Sequence, residues 1–173
     1  MWYSKTASKN DGTAFLAFFL PNEAREAYDH IEDLNTDLHM TILYIPDGID
    51  TPDDRKAVLE SVREVCKRTK PIECQCTEIG IMGDEENTLV TNVNCLGGDE
   101  FYVDLLETIE KKLGREIDRK YGFLPHVSLR YENETPTAER KQLRKFKWTA
   151  DALSVQFGRK DRKRKYDLSG TKV

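Results

Sequence analysis

The chain has 173 residues, 38% of them apolar and 34% charged, with a formal net charge of −4. That length suits one compact domain spanning 1–173 with a substantial core, and that balance excludes a disordered or fibrous protein. The longest apolar run, Ala14 to Leu20, is too short to cross a bilayer and lacks the flanks of a secretion signal, so no membrane partner is expected.

Four cysteines (Cys66, Cys74, Cys76, Cys95) suit a reduced, cytoplasmic protein better than a disulfide framework. Cys74-x-Cys76 is half a metal site, and no second pair or nearby histidine completes it. From Glu139 onward, twelve Lys or Arg face four acids, a net of +8; the preceding 138 residues carry 15 basic and 27 acidic groups, a net of −12. A phosphate-bearing partner and a merely solvated basic surface account for that split equally well.

Thr13 to Leu20 is a continuous aromatic run that reads as a central strand. Asn22 then caps a helix with Ala24, Ala27, Tyr28, Ile31 and Leu34 at helical spacing, and His30 lies on its solvent side. Asp37 to Ile45 is a second strand, closed by Pro46-Asp47-Gly48. Thr51-Pro52-Asp53-Asp54 opens a second helix with a buried stripe of Val58, Leu59, Val62, Val65 and Cys66. Pro71 to Met82 and Thr88 to Leu96 read as strands joined by a turn over 83–87. Gly97 to Leu113 reads as a third helix stopped by Gly114. A strand ending at Tyr131 follows, then a short basic helix over Thr135 to Arg144. A closing hairpin runs from Trp148–Phe157 to Lys165–Leu168 through the basic run Arg159 to Arg164. The order predicts an α+β protein.

Two of the three histidines sit in one repeated pattern. His39-Met40-Thr41-Ile42-Leu43-Tyr44 and His126-Val127-Ser128-Leu129-Arg130-Tyr131 both read His, apolar, hydroxyl, aliphatic, any residue, Tyr, 87 positions apart. Strand side chains repeat with period two, so His39 and Thr41 share a face about 7 Å apart, as do His126 and Ser128. In a regular strand Leu43 and Arg130 join that face, making Arg130 a candidate phosphate clamp. Tyr44 and Tyr131 fall on the opposite face unless a bulge re-aims them. A facing pair of histidines can move a phosphoryl group by acid–base catalysis without a metal or other cofactor. With ordinary pKa values near 6.5, roughly a fifth of molecules at pH 7 hold one ring neutral and the other protonated as needed. Thr41 and Ser128 are candidate hydroxyl donors to the non-bridging phosphate oxygens.

These tetrapeptides resemble the two signatures of the two-histidine (2H) phosphoesterase superfamily, which includes RNA 2′,3′-cyclic phosphodiesterases. Phe15 to Pro21, the lead-in Phe123-Leu124-Pro125 and the closing hairpin are similar to the family too, and the flavour is that of phage and bacterial members. The resemblance implies a bilobal, duplicated LigT-like fold: two pseudo-symmetric antiparallel sheets around a cleft, helices outside, and motif strands near 37–45 and 123–131. It implies a catalytic set of His39, Thr41, His126 and Ser128. Arg130, Phe15 and Tyr44 are candidate substrate contacts, although core packing is the readier role for Phe15. The expected substrate is a nucleotide or RNA bearing a cyclic phosphate, handled by a cytoplasmic monomer (in the host cytoplasm, if the gene is a phage's). Degradation of a cyclic oligonucleotide signal and non-catalytic RNA binding are the alternatives.

Overall fold

The computed structural model describes residues 12–82, 88–118, 122–131, 143–158 and 161–170. The expected turn over 83–87 and most of the expected basic helix lie outside them. Eight strands and three helices follow in the order β1 (Ala14–Phe19), α1 (Glu23–Ala27), β2 (His39–Ile45), α2 (Pro52–Arg68), β3 (Ile72–Met82), β4 (Thr88–Cys95), α3 (Gly98–Leu113), β5 (His126–Tyr131), β6 (Leu143–Ala150), β7 (Ala152–Phe157) and β8 (Arg164–Asp167).

All described strand pairs are antiparallel, in the sheet order β6-β3-β4-β5-β2-β1-β7-β8. β6 and β7 are separated only by Asp151, yet they stand first and seventh in that order. The sheet therefore curls enough to bring the end of β6 beside the start of β7. Its two four-stranded halves join through β2 and β5, where Met40 pairs with Val127. Each histidine strand is thus the inner strand of one half, which is the α+β, LigT-like architecture with its two lobes drawn as one continuous sheet.

Local chemistry explains the helices. Thr51 Oγ1 accepts from the Asp54 N–H at 3.1 Å while Asp54 Oδ2 accepts from the Thr51 N–H at 3.2 Å, closing a reciprocal cap on α2. Val58, Val62, Val65 and Cys66 then point inward. α3 buries Phe101, Leu105, Leu106 and Ile109, stacks Phe101 on Phe18 of β1 at 5.4 Å, and ends at Gly114 in the left-handed conformation. These helices pack on each other and on the β1–β2–β7–β8 half, whereas Tyr28, just after α1, donates to Thr91 Oγ1 in the other half at 3.4 Å.

Three expectations change. α1 stops at Ala27 rather than running to Leu34, and Asn22 makes no side-chain cap. The chain beyond it satisfies β5 instead: the Asn35 N–H donates to the Leu129 carbonyl at 2.8 Å and the Asn35 side-chain amide to the Ser128 carbonyl at 2.9 Å. Trp148 to Phe157 is not one strand, because Asp151 parts β6 on β3 from β7 on β1. Leu143 and Arg144, placed in the basic helix, open β6.

Candidate active site

Met40 and Val127 face each other across β2 and β5, and both are wholly buried. Their neighbours therefore point to the opposite side of the sheet. In that antiparallel register His39 stands opposite Ser128 and Thr41 opposite His126, an alternation of ring and hydroxyl related by a local two-fold. Ordinary sheet geometry puts directly opposite side chains about 4.5–5.5 Å apart and the two rings, on the diagonal, about 7–8 Å.

Both rings are held alike. His39 Nδ1 lies 3.0 Å from the Asp37 carbonyl oxygen and His126 Nδ1 2.6 Å from that of Leu124, in each case two residues back. A carbonyl only accepts, so each Nδ1 carries a proton, and in the neutral ring Nε2 keeps the lone pair. Burial lowers the affinity of both rings for a second proton. At His39 the Asp37 carbonyl opposes this and the nearby Lys163 ammonium adds to it; at His126 the Leu124 carbonyl opposes it. Both pKa values lie below the ordinary value of 6.5, so fewer molecules at pH 7 hold one ring protonated than the fifth expected of unperturbed rings, and the neutral pair is favoured.

His39 also has an aromatic frame. Phe15 meets it edge-on at 5.1 Å and Phe19 lies tilted to it, at 42° and 5.3 Å, with Lys163 Nζ 4.0 Å above the Phe19 ring and 3.6 Å from Asp37 Oδ2. Phe15 is only 8% exposed, so it braces the histidine and presents little surface to a ligand. The basic run was visible in the sequence. That its Lys163 folds back onto β1 and β2 was not, because β8 reaches them only through β7.

Register corrects the expected faces beyond the hydroxyls. Leu16 pairs with Leu43 but Ala17 with Thr41, so Ile42 is an extra residue in β2. Leu89 pairs with Arg130 but Val90 with Ser128, so Leu129 is the corresponding extra residue in β5. Both bulges fall three residues after the histidine. Each lets two consecutive side chains turn into the core, Ile42 and Leu43 in one strand and Leu129 and Arg130 in the other. Tyr44 and Tyr131 are thereby returned to the histidine face, Tyr44 opposite Phe15 and the Tyr131 hydroxyl hydrogen-bonded to Ser128. Leu43 and Arg130 leave it. Arg130 is 5% exposed and donates through Nη1 to the Glu32 carbonyl at 3.0 Å, so it sits behind the strand and not in the cleft. His30 is exposed and apart.

Among the described residues no three His, Cys, Asp or Glu side chains converge as a metal site requires, and no helix is long and apolar enough to cross a membrane. The arrangement offers two imidazoles and two hydroxyls converging on one patch of the sheet, which is chemistry suited to a phosphate ester.

Known proteins share this architecture. A structure titled TT0787 of Thermus thermophilus superimposes with a TM-score of 0.73 at 18% identity, over 92% of this chain and 100% of that one. LigT of E. coli, solved with NADP+, gives 0.64 at 16% identity over 91% and 95%, and the MHV ns2 PDE domain 0.62 at 15% over 83% and 98%. At such identities the likeness establishes the fold. No curated protein is a significant match. A family description, the 2′-5′ RNA ligase superfamily, matches residues 16–162. The chain belongs to the 2′-5′ RNA ligase superfamily, the two-histidine phosphoesterases.

Proposed function

We propose that this protein is a metal-independent phosphodiesterase that opens a nucleoside or RNA 2′,3′-cyclic phosphate. The observation that carries the reading is the matched pair of histidines across β2 and β5. Each is tied by Nδ1 to the carbonyl two residues back and stands opposite a hydroxyl of the other strand. One neutral ring takes a proton on Nε2 from water as the water oxygen bonds to phosphorus. The bond from phosphorus to one ribose oxygen breaks, and that oxygen takes its proton from the other, protonated ring. Thr41 and Ser128 donate to the non-bridging oxygens as charge builds on them. A phosphate anion seated between the rings restores the proton that burial discourages, so the acid is charged when substrate is present. Solved forms of LigT hold 3′-AMP and ATP, which supports a nucleotide as the substrate class.

A cyclic oligonucleotide is the second reading, favoured by the ammonium of Lys163 beside His39. The test is a panel of 2′,3′-cyclic nucleotides, RNA ends and cyclic oligonucleotides, each assayed with and without EDTA. His39→Ala and His126→Ala should each lower turnover by about 10²- to 10⁴-fold. Turnover abolished by EDTA and restored by one metal refutes the mechanism. Tight RNA binding by both variants, with no turnover by the wild type on any substrate, makes the protein a binding module instead.

A further inference from the structure

The histidine face of the sheet continues outward from His126 into a second depression. His126 pairs with Asn92 of β4; two residues on, Asn94 pairs with Gln75 of β3, and Gln75 with Lys147 of β6. A cavity of about 560 Å³ lies against Gln75, Asn94 and Lys147 and is walled by Phe123, Pro125 and Asp99. Pro125 adjoins His126, and Asn94 is about 7 Å along β4 from the residue that faces His126. The Phe123 ring is held 5.3 Å from Tyr102 and nearly parallel to it, at 13°. Gly98 makes that placement possible, because a Cβ there would come within 3.4 Å of Phe123 and 2.8 Å of the Cys95 Cβ.

We propose that this cavity is a nucleobase subsite, for the nucleotide whose phosphate lies between His39 and His126, and that it prefers guanine. The proposal rests on the phosphodiesterase reading for the position of the phosphate. Its volume is in the range of small-ligand sites, and a fixed aromatic wall is what a base stacks on. The polar groups choose among bases. Guanine presents N1–H and the N2 amine side by side, two donors that one carboxylate accepts together, and Asp99 supplies that carboxylate at the start of α3. Adenine and cytosine offer an amine beside an acceptor, and uracil one N–H between two acceptors. On guanine's other edge O6 and N7 both accept, matching the Lys147 ammonium and the Gln75 amide. Glu73, also in the lining, is engaged, since its Oε1 accepts from Thr149 at 2.9 Å.

The test compares kcat/KM for the four nucleoside 2′,3′-cyclic phosphates and, separately, calorimetric affinities for 3′-GMP and 3′-AMP. Guanosine should lead by about ten- to a hundredfold in both measurements. Asp99→Asn replaces one acceptor by a donor, at an exposed position of α3 whose folding a thermal melt verifies, and should bring both ratios close to one. Phe123→Leu should weaken 3′-GMP and 3′-AMP alike. Equal use of all four bases, no selective binding, or a preference untouched by Asp99→Asn overturns the subsite and leaves the phosphodiesterase reading standing. Selective, Asp99-dependent binding of 3′-GMP without turnover of any substrate does the reverse.

Discussion

Arg130 and Tyr131 are adjacent, and the bulge at Leu129 decides which of them shares a face with His126. A regular strand would aim Arg130 at the phosphate; the observed register buries it and turns Tyr131 outward. Arg130→Ala therefore tests the bulge directly. It removes a charge-assisted hydrogen bond to the Glu32 carbonyl, worth about 1.5–3 kcal/mol, together with the packing of a buried aliphatic stem. A chain of this size loses about 2–4 °C of Tm per kcal/mol, so the variant should melt roughly 4–10 °C lower. Below that melt its kcat/KM should stay within a fewfold of wild type. Tyr131→Phe should behave oppositely, with Tm little changed and kcat/KM reduced, because the hydroxyl it deletes bonds Ser128. Differential scanning calorimetry and steady-state kinetics on the two variants read both quantities. A large rise in KM with an unchanged melt for Arg130→Ala would put the guanidinium on the phosphate and refute the register argument.

Other consequences are equally direct. Thr41→Val and Ser128→Ala should each lower kcat by about 10²–10³-fold, the cost of one oxyanion donor, with little change in the melt. The pH dependence of kcat/KM should be a bell on the acid side of 6.5, since burial lowers both free-enzyme histidines, whereas the kcat profile should lie higher because bound phosphate returns the proton. A bell centred above pH 7 in kcat/KM would contradict the burial argument. The same shifts bear on stability: the unfolded chain takes up protons at about 6.5 and the folded rings only below it, so stability falls as pH drops through that window. Thermal melts of wild type should lose more between pH 7.5 and 5.5 than those of a His39→Ala/His126→Ala double variant. Thr51→Ala should cost about 0.5–2 kcal/mol by urea unfolding, through loss of the reciprocal cap on α2.

Most of the site was legible because its information is local. Two identical short patterns carry their own spacing, and period two puts each histidine and hydroxyl on one face whatever the rest of the chain does. The α2 cap is equally local, written in four consecutive residues. The helix expected from Asn22 to Leu34 misled for the complementary reason. Its spacing was helical, but Glu32 and Asn35 gain more from the backbone and side chains of β5, 93 and more positions away, than a weakly capped helix offers. Trp148 to Phe157 reads as one strand because nothing within it says that its ends pair with strands at opposite sides of the sheet.

The sequence by itself determined the two histidine strands, the hydroxyl that accompanies each ring, the two long helices and the α+β class, all of them consequences of spacing within one element. Tertiary structure decided what depends on partners. Pairing with β1 and β4 inserts the bulges at Ile42 and Leu129, which exchange Leu43 and Arg130 for Tyr44 and Tyr131 on the histidine face. Burial beneath Phe15 and Phe19 and the approach of Lys163 lower the His39 pKa. Pairing of Met40 with Val127, 87 positions apart, sets β2 beside β5. A bulge exists only relative to the strand beside it, and a pKa shift only relative to what surrounds the ring. Neither can be read until distant segments are placed together.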